Sequence, residues 1–429
     1  MADPATATPY WELTFDADGD VNRRQRDRLL TEAPQRRLRD LVVLSHGWNN
    51  DRSLATRLYH RFFALIPPLA PTARIGYVGV LWPSMRFSDE PIPDFPRSVT
   101  DKDTRQALLE TFPARATLVE QITRMLEQQP PGEAALEEYG RLVRLLVEVV
   151  PPAPQTPFAA DTLADGVPQD EPEMLGGSTA AACEEFARAL AALENRAGTE
   201  GFTVPNPWNG AQELLRQATY YAMKRRAGTV GERGLGPVLG RLAREAPHLR
   251  VHLAGHSFGA RLVSFALAGL PQGVRTVKSV TLLQGAFSHY AFAARLPHDP
   301  RAGGVLRGRQ NRVDGPLVCC HSRHDSALGT FYPLASRMAG DARGATAGFG
   351  IGDALREKWG ALGYGGVRAV PGTPALSLAE ALRGPLPASG CVNVDAAQVV
   401  RRGGPPSGAH SDIVHPELAR LILAAGRVN

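Results

Sequence analysis

The pentapeptide Gly255-His256-Ser257-Phe258-Gly259 constrains the fold more than any other feature of this sequence. It directly follows a predicted strand, Leu249 to Ala254, and directly precedes an apolar-periodic segment, Leu262 to Leu270, that is typical of a helix. A sharp turn from strand to helix needs neighbours without bulky side chains, and the two flanking glycines meet that need. We therefore expect Ser257 at the carboxyl edge of a sheet and at the amino end of a helix, whose dipole favours developing negative charge. The alternative is a surface serine in a glycine-rich turn.

Short apolar segments alternate with helical patterns along the chain, and polar or glycine-rich turn residues follow each of them. The predicted strands are Leu41 to Ser45, Ile75 to Trp82, Val251 to Ala254, Val277 to Leu283 and Leu317 to Cys320. Strands that alternate with helices predict an α/β fold in which a mostly parallel sheet is flanked by helices. Residues 1–40 are expected to add an edge strand at Trp11 to Phe15 and a helix, both packed on this core.

The strand pattern disappears in residues 83–228, where helical patterns replace it. We predict a mainly helical insertion that caps the sheet, and a core formed by residues 41–82 and 229–429. Within the insertion, residues 151–177 contain several prolines and acidic residues and neither lysine nor arginine. This composition predicts a surface linker.

Three segments that follow predicted strands carry a family resemblance: Ser45-His46-Gly47-Trp48-Asn49-Asn50, Leu81-Trp82-Pro83-Ser84 and Leu253 to Ala260. Together they resemble the α/β-hydrolase fold over most of residues 40–425, and more narrowly a bacterial lipase-like branch whose members mostly lack an assigned substrate. The resemblance implies acyl transfer by an activated serine, Ser257.

The resemblance also implies an oxyanion hole formed by the backbone amides of Trp48 and Phe258. His46 and Gly47 are expected to support the oxyanion hole. The His-Gly step lets the loop pass close to a substrate, because Gly47 has no side chain in the way. An ordinary strand-to-helix turn is the alternative for these two residues.

In the family that the chain resembles, the acid follows the nucleophile in the sequence and the histidine base follows the acid. Asp325 follows the apolar strand Pro316 to Cys320, which places it at the same edge of the sheet as Ser257. Its alternative is a helix cap. Asp314 precedes this strand and would lie at the wrong edge of the sheet, and Asp299 and Asp353 have no strand directly before them.

His410 is the predicted base, because it lies in a Gly/Pro-rich loop before the C-terminal helix. His415 competes with it, but Pro416 suits the first helical position, so His415 is expected at the helix cap. Chain order does not firmly exclude three other loop histidines, which we interpret as pocket-lining or surface residues: His289, His321 and His324. The candidate pocket residues are Trp82, Phe287, His289 and Tyr290, and ordinary packing is the alternative for the aromatic ones.

The sequence thus predicts a serine hydrolase that cleaves a carboxylic ester, or a related acyl bond of a small-molecule or lipid-like substrate, without a cofactor. Two alternatives remain, namely a binding or scaffold protein on a hydrolase fold and a lipase that acts at lipid surfaces.

Composition limits the other classes. The 48 Lys and Arg against 43 Asp and Glu leave a net charge of +5 without a dense basic block, so nucleic acid is not an expected partner. The four cysteines have no metal-site or disulfide-framework spacing. The chain begins without a signal-peptide pattern and has no long apolar run, which predicts a cytoplasmic protein without a transmembrane segment.

Overall fold

A computed structural model describes residues 7–48, 50–85, 104–148, 158–165, 167–168, 176–196, 206–328, 357, 360–403 and 408–428. The sheet at the centre of this structure has eight strands: β1 (Tyr10–Thr14), β2 (Asp40–Ser45), β3 (Ile75–Leu81), β6 (Arg250–His256), β7 (Val277–Leu283), β9 (Pro316–His321), β10 (Ala375–Ser377) and β11 (Gly390–Asp395). Their order across the sheet is β1-β3-β2-β6-β7-β9-β11-β10. Each neighbouring pair in this sheet is parallel.

Helices cover both faces of the sheet, and the side chains of its strands explain why. In β2, Leu41 and Val43 pack into one apolar cluster while Val42 and Leu44 pack into another, as the period of two in a strand requires. Every residue of β2 and β3 is buried, which is typical of parallel strands covered on both sides. The predicted α/β class with a mostly parallel sheet flanked by helices is confirmed.

The helices around the sheet are α1 (Arg23–Gln35), α2 (Arg52–Phe63), α3 (Ile66–Leu69), α9 (Gly236–Glu245), α10 (Phe258–Gly269), α11 (Leu362–Gly365), α12 (Leu378–Arg383) and α13 (Pro416–Gly426). Those of the predicted insertion are α4 (Thr104–Thr111), α5 (Ala116–Gln128), α6 (Glu133–Val147), α7 (Thr179–Arg196) and α8 (Pro207–Thr229). A π-helical turn, Val230–Leu235, joins α8 to α9. Within the described ranges, no helix is long and apolar enough to cross a membrane.

The insertion packs on one face of the sheet. Leu108 of α4, Ile122 of α5 and Leu146 of α6 belong to the same apolar cluster as Leu41 of β2. The helices of the insertion therefore share their core with one side of the sheet. Parts of the insertion, residues 86–103, 149–157 and 197–205, lie outside the described residues.

The expected surface linker at 151–177 is wrong for its central part. Strands β4 (Thr162–Ala164) and β5 (Val167–Pro168) form an antiparallel hairpin there, and β4 also pairs with β8 (Ala302–Gly304). Asp161, directly before β4, is buried. Local composition predicted an exposed segment because it does not show the cations that neutralise Asp161. These cations lie far along the chain, on α8 and α10. Residues 151–157 and 169–175 are outside the described residues.

Candidate active site

Ser257 lies at the junction between β6, which ends at His256, and α10, which begins at Phe258. Its backbone has φ 55° and ψ −119°, a conformation that is costly for a residue with a side chain. Hydrogen bonds hold this turn in place: the Ser257 amide donates to the Leu283 carbonyl over 3.0 Å, and the Ser257 carbonyl accepts from the Ala260 amide over 3.1 Å. The serine is therefore presented on a rigid, strained turn at the carboxyl edge of the sheet.

Three glycines make this turn possible. A Cβ added to Gly255 would overlap the carbonyl of Gly259, and one added to Gly259 would overlap the carbonyl of Ser45. A Cβ on Gly47 would come 2.6 Å from the Cβ of Ser257. The loop after β2 therefore passes directly beside Ser257, and both it and α10 approach more closely than any side chain would allow.

The structure brings Ser257, His410 and Asp325 together. The Nε2 of His410 lies 2.9 Å from the Oγ of Ser257, and its Nδ1 lies 2.8 Å from the Oδ2 of Asp325. Because a carboxylate only accepts, Nδ1 carries the proton and Nε2 accepts the hydroxyl hydrogen of Ser257. The other carboxylate oxygen of Asp325 accepts from the Leu328 amide over 3.0 Å. This arrangement can remove the serine proton and stabilise the resulting imidazolium.

A network around Asp412 fixes the loop that carries His410. The buried carboxylate of Asp412 accepts hydrogen bonds from the amides of Arg401 and Arg402 and from the guanidinium of Arg402. It also accepts from the Nε2 of His415 over 2.9 Å. His415 thus lies at the start of α13 and is paired with Asp412, whereas His410 is the histidine that reaches Ser257.

The two predicted oxyanion residues both border Ser257. Phe258 is the first residue of α10, a position where amides lack partners within the helix, and Trp48 follows Gly47 in the adjoining loop. The ring of Tyr220, on α8, lies 5.5 Å from that of Trp48 and 4.7 Å from that of Phe258. Sequence reasoning missed Tyr220, because nothing in the pattern of α8 distinguishes a residue over the site from ordinary packing.

His46 and Trp82 stabilise the loop after β2. Their rings stack 5.4 Å apart, and the indole Nε1 of Trp82 donates to the His46 carbonyl over 2.9 Å. The Nδ1 of His46 donates to the Gly47 carbonyl over 2.9 Å. Burial lowers the pKa of His46 to about 4, so its imidazole is neutral near pH 7. Trp82 therefore supports the backbone of the predicted oxyanion loop.

The remaining candidate pocket residues also lie in the protein interior. None of Phe287, His289 and Tyr290 is more than 3% exposed. The Nε2 of His289 and the hydroxyl of Tyr290 both donate to the carbonyl of Glu357, over 3.0 and 2.9 Å, and burial lowers the pKa of His289 to about 3. These three side chains are therefore buried, and their role in lining an acyl pocket stays a prediction.

His321 is the last residue of β9 and His324 lies three residues beyond it, but the histidine that hydrogen-bonds to Ser257 is His410. Burial lowers the pKa of His321. The carbonyl of His324 accepts the Ala409 amide over 2.9 Å, so His324 contributes its backbone to the site. In the described part of the chain, no group of His, Cys, Asp or Glu residues is arranged to hold a metal ion.

No family model, curated protein or solved structure matches this chain.

Proposed function

We propose that this protein is a serine hydrolase of the α/β-hydrolase fold that cleaves carboxylic esters or related acyl bonds. The observation that carries the proposal is the continuous hydrogen-bonded path from Ser257 through His410 to Asp325, with both distances under 3 Å. Two features of the surroundings support it: the strained turn at Ser257 and its position at the amino end of α10.

The reaction would follow the geometry of the site. The Oγ of Ser257 attacks the substrate carbonyl while the Nε2 of His410 takes the hydroxyl proton. Asp325 keeps the imidazole in the correct tautomer and stabilises its positive charge. The amides of Trp48 and Phe258 would donate to the oxyanion of the tetrahedral intermediate. His410 then protonates the leaving group, and in a second half-reaction it activates the water that releases the acid.

The aromatic residues beside Ser257 suit an apolar acyl or alcohol group. Trp48 and Tyr220 are partly exposed and pack against each other, so they offer an apolar surface next to the nucleophile. Because Tyr220 belongs to α8, we expect the insertion to influence which substrates are accepted.

The test is labelling of the purified protein with a fluorophosphonate probe, together with hydrolysis of short-chain p-nitrophenyl esters. We expect the wild-type protein to react with the probe and Ser257→Ala to lose both activities, by about 10⁴-fold or more for hydrolysis. Ser264→Ala is the matched control, because this serine lies on the same helix and bonds only along it, to the Ala260 carbonyl. A folded Ser257→Ala variant that keeps its turnover would refute the proposal.

A further inference from the structure

A second set of hydrogen bonds lies one residue outside the proposed triad. His256 directly precedes Ser257, and its Nε2 donates to the backbone carbonyl of His410 over 2.8 Å. His324 directly precedes Asp325, and its carbonyl accepts the amide of Ala409, the residue before His410. The neighbours of the nucleophile and of the acid thus both bind the backbone of the base.

The environment of His256 fixes the orientation of its ring. The side chain is buried, and its ring lies 5.0 Å from that of His410. The loop after β2 also packs against the ring, since a Cβ added to Gly47 would come 3.1 Å from the Nδ1 of His256. Because a carbonyl oxygen only accepts, Nε2 must carry the ring proton.

The ring of His256 also stays uncharged beside the base. Burial and the neighbouring His410 lower the pKa of His256 to about 3. A neutral ring can keep its hydrogen bond while His410 becomes positively charged during the reaction, without repelling that charge.

We infer that His256 is a positioning residue, whose hydrogen bond to the His410 backbone keeps the base within reach of Ser257. This inference rests on the proposed serine hydrolase activity. This hydrogen bond joins the backbone of the base, His410, to the residue directly before the nucleophile, Ser257. A shift of either one changes the distance between Ser257 Oγ and His410 Nε2, now 2.9 Å.

The test compares two substitutions of similar size. His256→Leu removes the donor, whereas His256→Gln places an amide N–H close to the position of Nε2. With p-nitrophenyl butyrate, we expect His256→Leu to lower kcat by about 10- to 100-fold, because small displacements of reacting groups have effects of this size. Its KM should stay within about three-fold of the wild-type value, since the ester does not contact this residue. His256→Gln should restore most of the lost kcat, and the rate of fluorophosphonate labelling should follow the same order.

His252→Leu is the control for lost stability. His252 lies on the same strand and is equally buried, but it bonds to Asp40 and Ser279, away from the site. We expect it to lower the melting temperature and to leave kcat unchanged. If His256→Leu does not fold, His256→Asn is used instead. The asparagine side chain is too short for its amide to reach the His410 carbonyl, so this variant also lacks the hydrogen bond.

The outcomes separate the two proposals. Loss of activity in Ser257→Ala, combined with a normal kcat in folded His256→Leu, would overturn only the role of His256. The same holds if His256→Gln is as impaired as His256→Leu. Unchanged activity in Ser257→Ala would instead overturn the proposed function.

Discussion

His410 and His415 are five residues apart and have different partners. His410 contacts Ser257 and Asp325, whereas His415 bonds to Asp412 at the start of α13. We expect His410→Ala to lose nearly as much activity as Ser257→Ala, and the double variant to be little worse, because nucleophile and base act as one unit. The measurement is kcat/KM for a p-nitrophenyl ester.

His415→Ala is the matched comparison. This variant should lower kcat/KM by at most a few-fold, because the loop that carries His410 is less well supported without His415. An inactive, folded His415 variant beside an active His410 variant would show that the base is assigned to the wrong histidine.

The carboxylate of Asp412 makes loop stability depend on pH. Burial alone would raise its pKa, but the amides of Arg402 and Arg401 and the guanidinium of Arg402 outweigh burial and lower the pKa below its ordinary 3.8. The lowered pKa means that Asp412 contributes stability above its unfolded pKa, and that this contribution is lost as the pH falls through the folded pKa.

Asp412→Asn should therefore reduce the free energy of unfolding by about 1 to 3 kcal/mol near neutral pH. The difference from wild type should shrink as the pH falls below about 4. Urea unfolding of both proteins at several pH values measures this. A difference that stays constant from neutral to acidic pH would show that the charge of Asp412 is not the cause.

At the scale of elements, the close approach of α10 to β2 depends on Gly259. An added Cβ would overlap the carbonyls of Ser45 and His46, which are backbone atoms and cannot rotate away. We expect Gly259→Ala to cost about 3 kcal/mol of stability, the upper end for overpacking, or to prevent folding. Thermal unfolding measures the loss.

Gly384→Ala provides the control for this substitution. The nearest atom to its added Cβ is the Glu380 carbonyl at 3.8 Å, an ordinary contact. Its stability should change by no more than about 0.5 kcal/mol. Equal effects at both glycines would contradict the steric explanation.

Local patterns explain which parts of the site could be predicted from the sequence. The turn at Ser257 lies between a strand and a helix and is flanked by two glycines, and Asp325 comes five residues after the apolar run that ends at Cys320. Because parallel strands end at one edge of the sheet, these positions converge without knowledge of the tertiary contacts. His410 could be chosen over His415 from the helix-start chemistry of Pro416.

Long-range contacts explain what the sequence could not provide. Tyr220 contacts Trp48 and Phe258 only because the tertiary fold brings α8 beside the loop after β2. Asp161 belongs to a Pro-rich acidic segment, and its partner Arg261 follows 100 residues later. Composition reports neither contact, so it predicted solvent exposure where the structure has a buried ion pair.

At the scale of the whole molecule, the insertion and the sheet are joined by charge as well as by apolar packing. The buried guanidinium of Arg261, on α10, binds the carboxylate of Asp161. It also donates to the carbonyls of Phe158 and Ala160, and both of these hydrogen bonds are 2.7 Å long. It also donates to the carbonyl of Lys224 on α8 over 3.1 Å. The segment before β4 is thus attached to the helix that begins beside Ser257, so its loss should affect the core and not only the insertion.

Asp161 is the centre of this network, because its carboxylate also lies 3.0 Å from the Nζ of buried Lys224. Two buried cations share one carboxylate, so Asp161→Asn leaves both without compensation and should cost about 3 to 5 kcal/mol in urea unfolding. Lys224→Met removes one cation and leaves the pair of Asp161 with Arg261, so its cost should be about 1 kcal/mol. The double variant should then be more stable than the two single losses predict, since the second substitution removes one of the cations that the first leaves unpaired. Strictly additive losses would show that the charge of Lys224 is not coupled to Asp161.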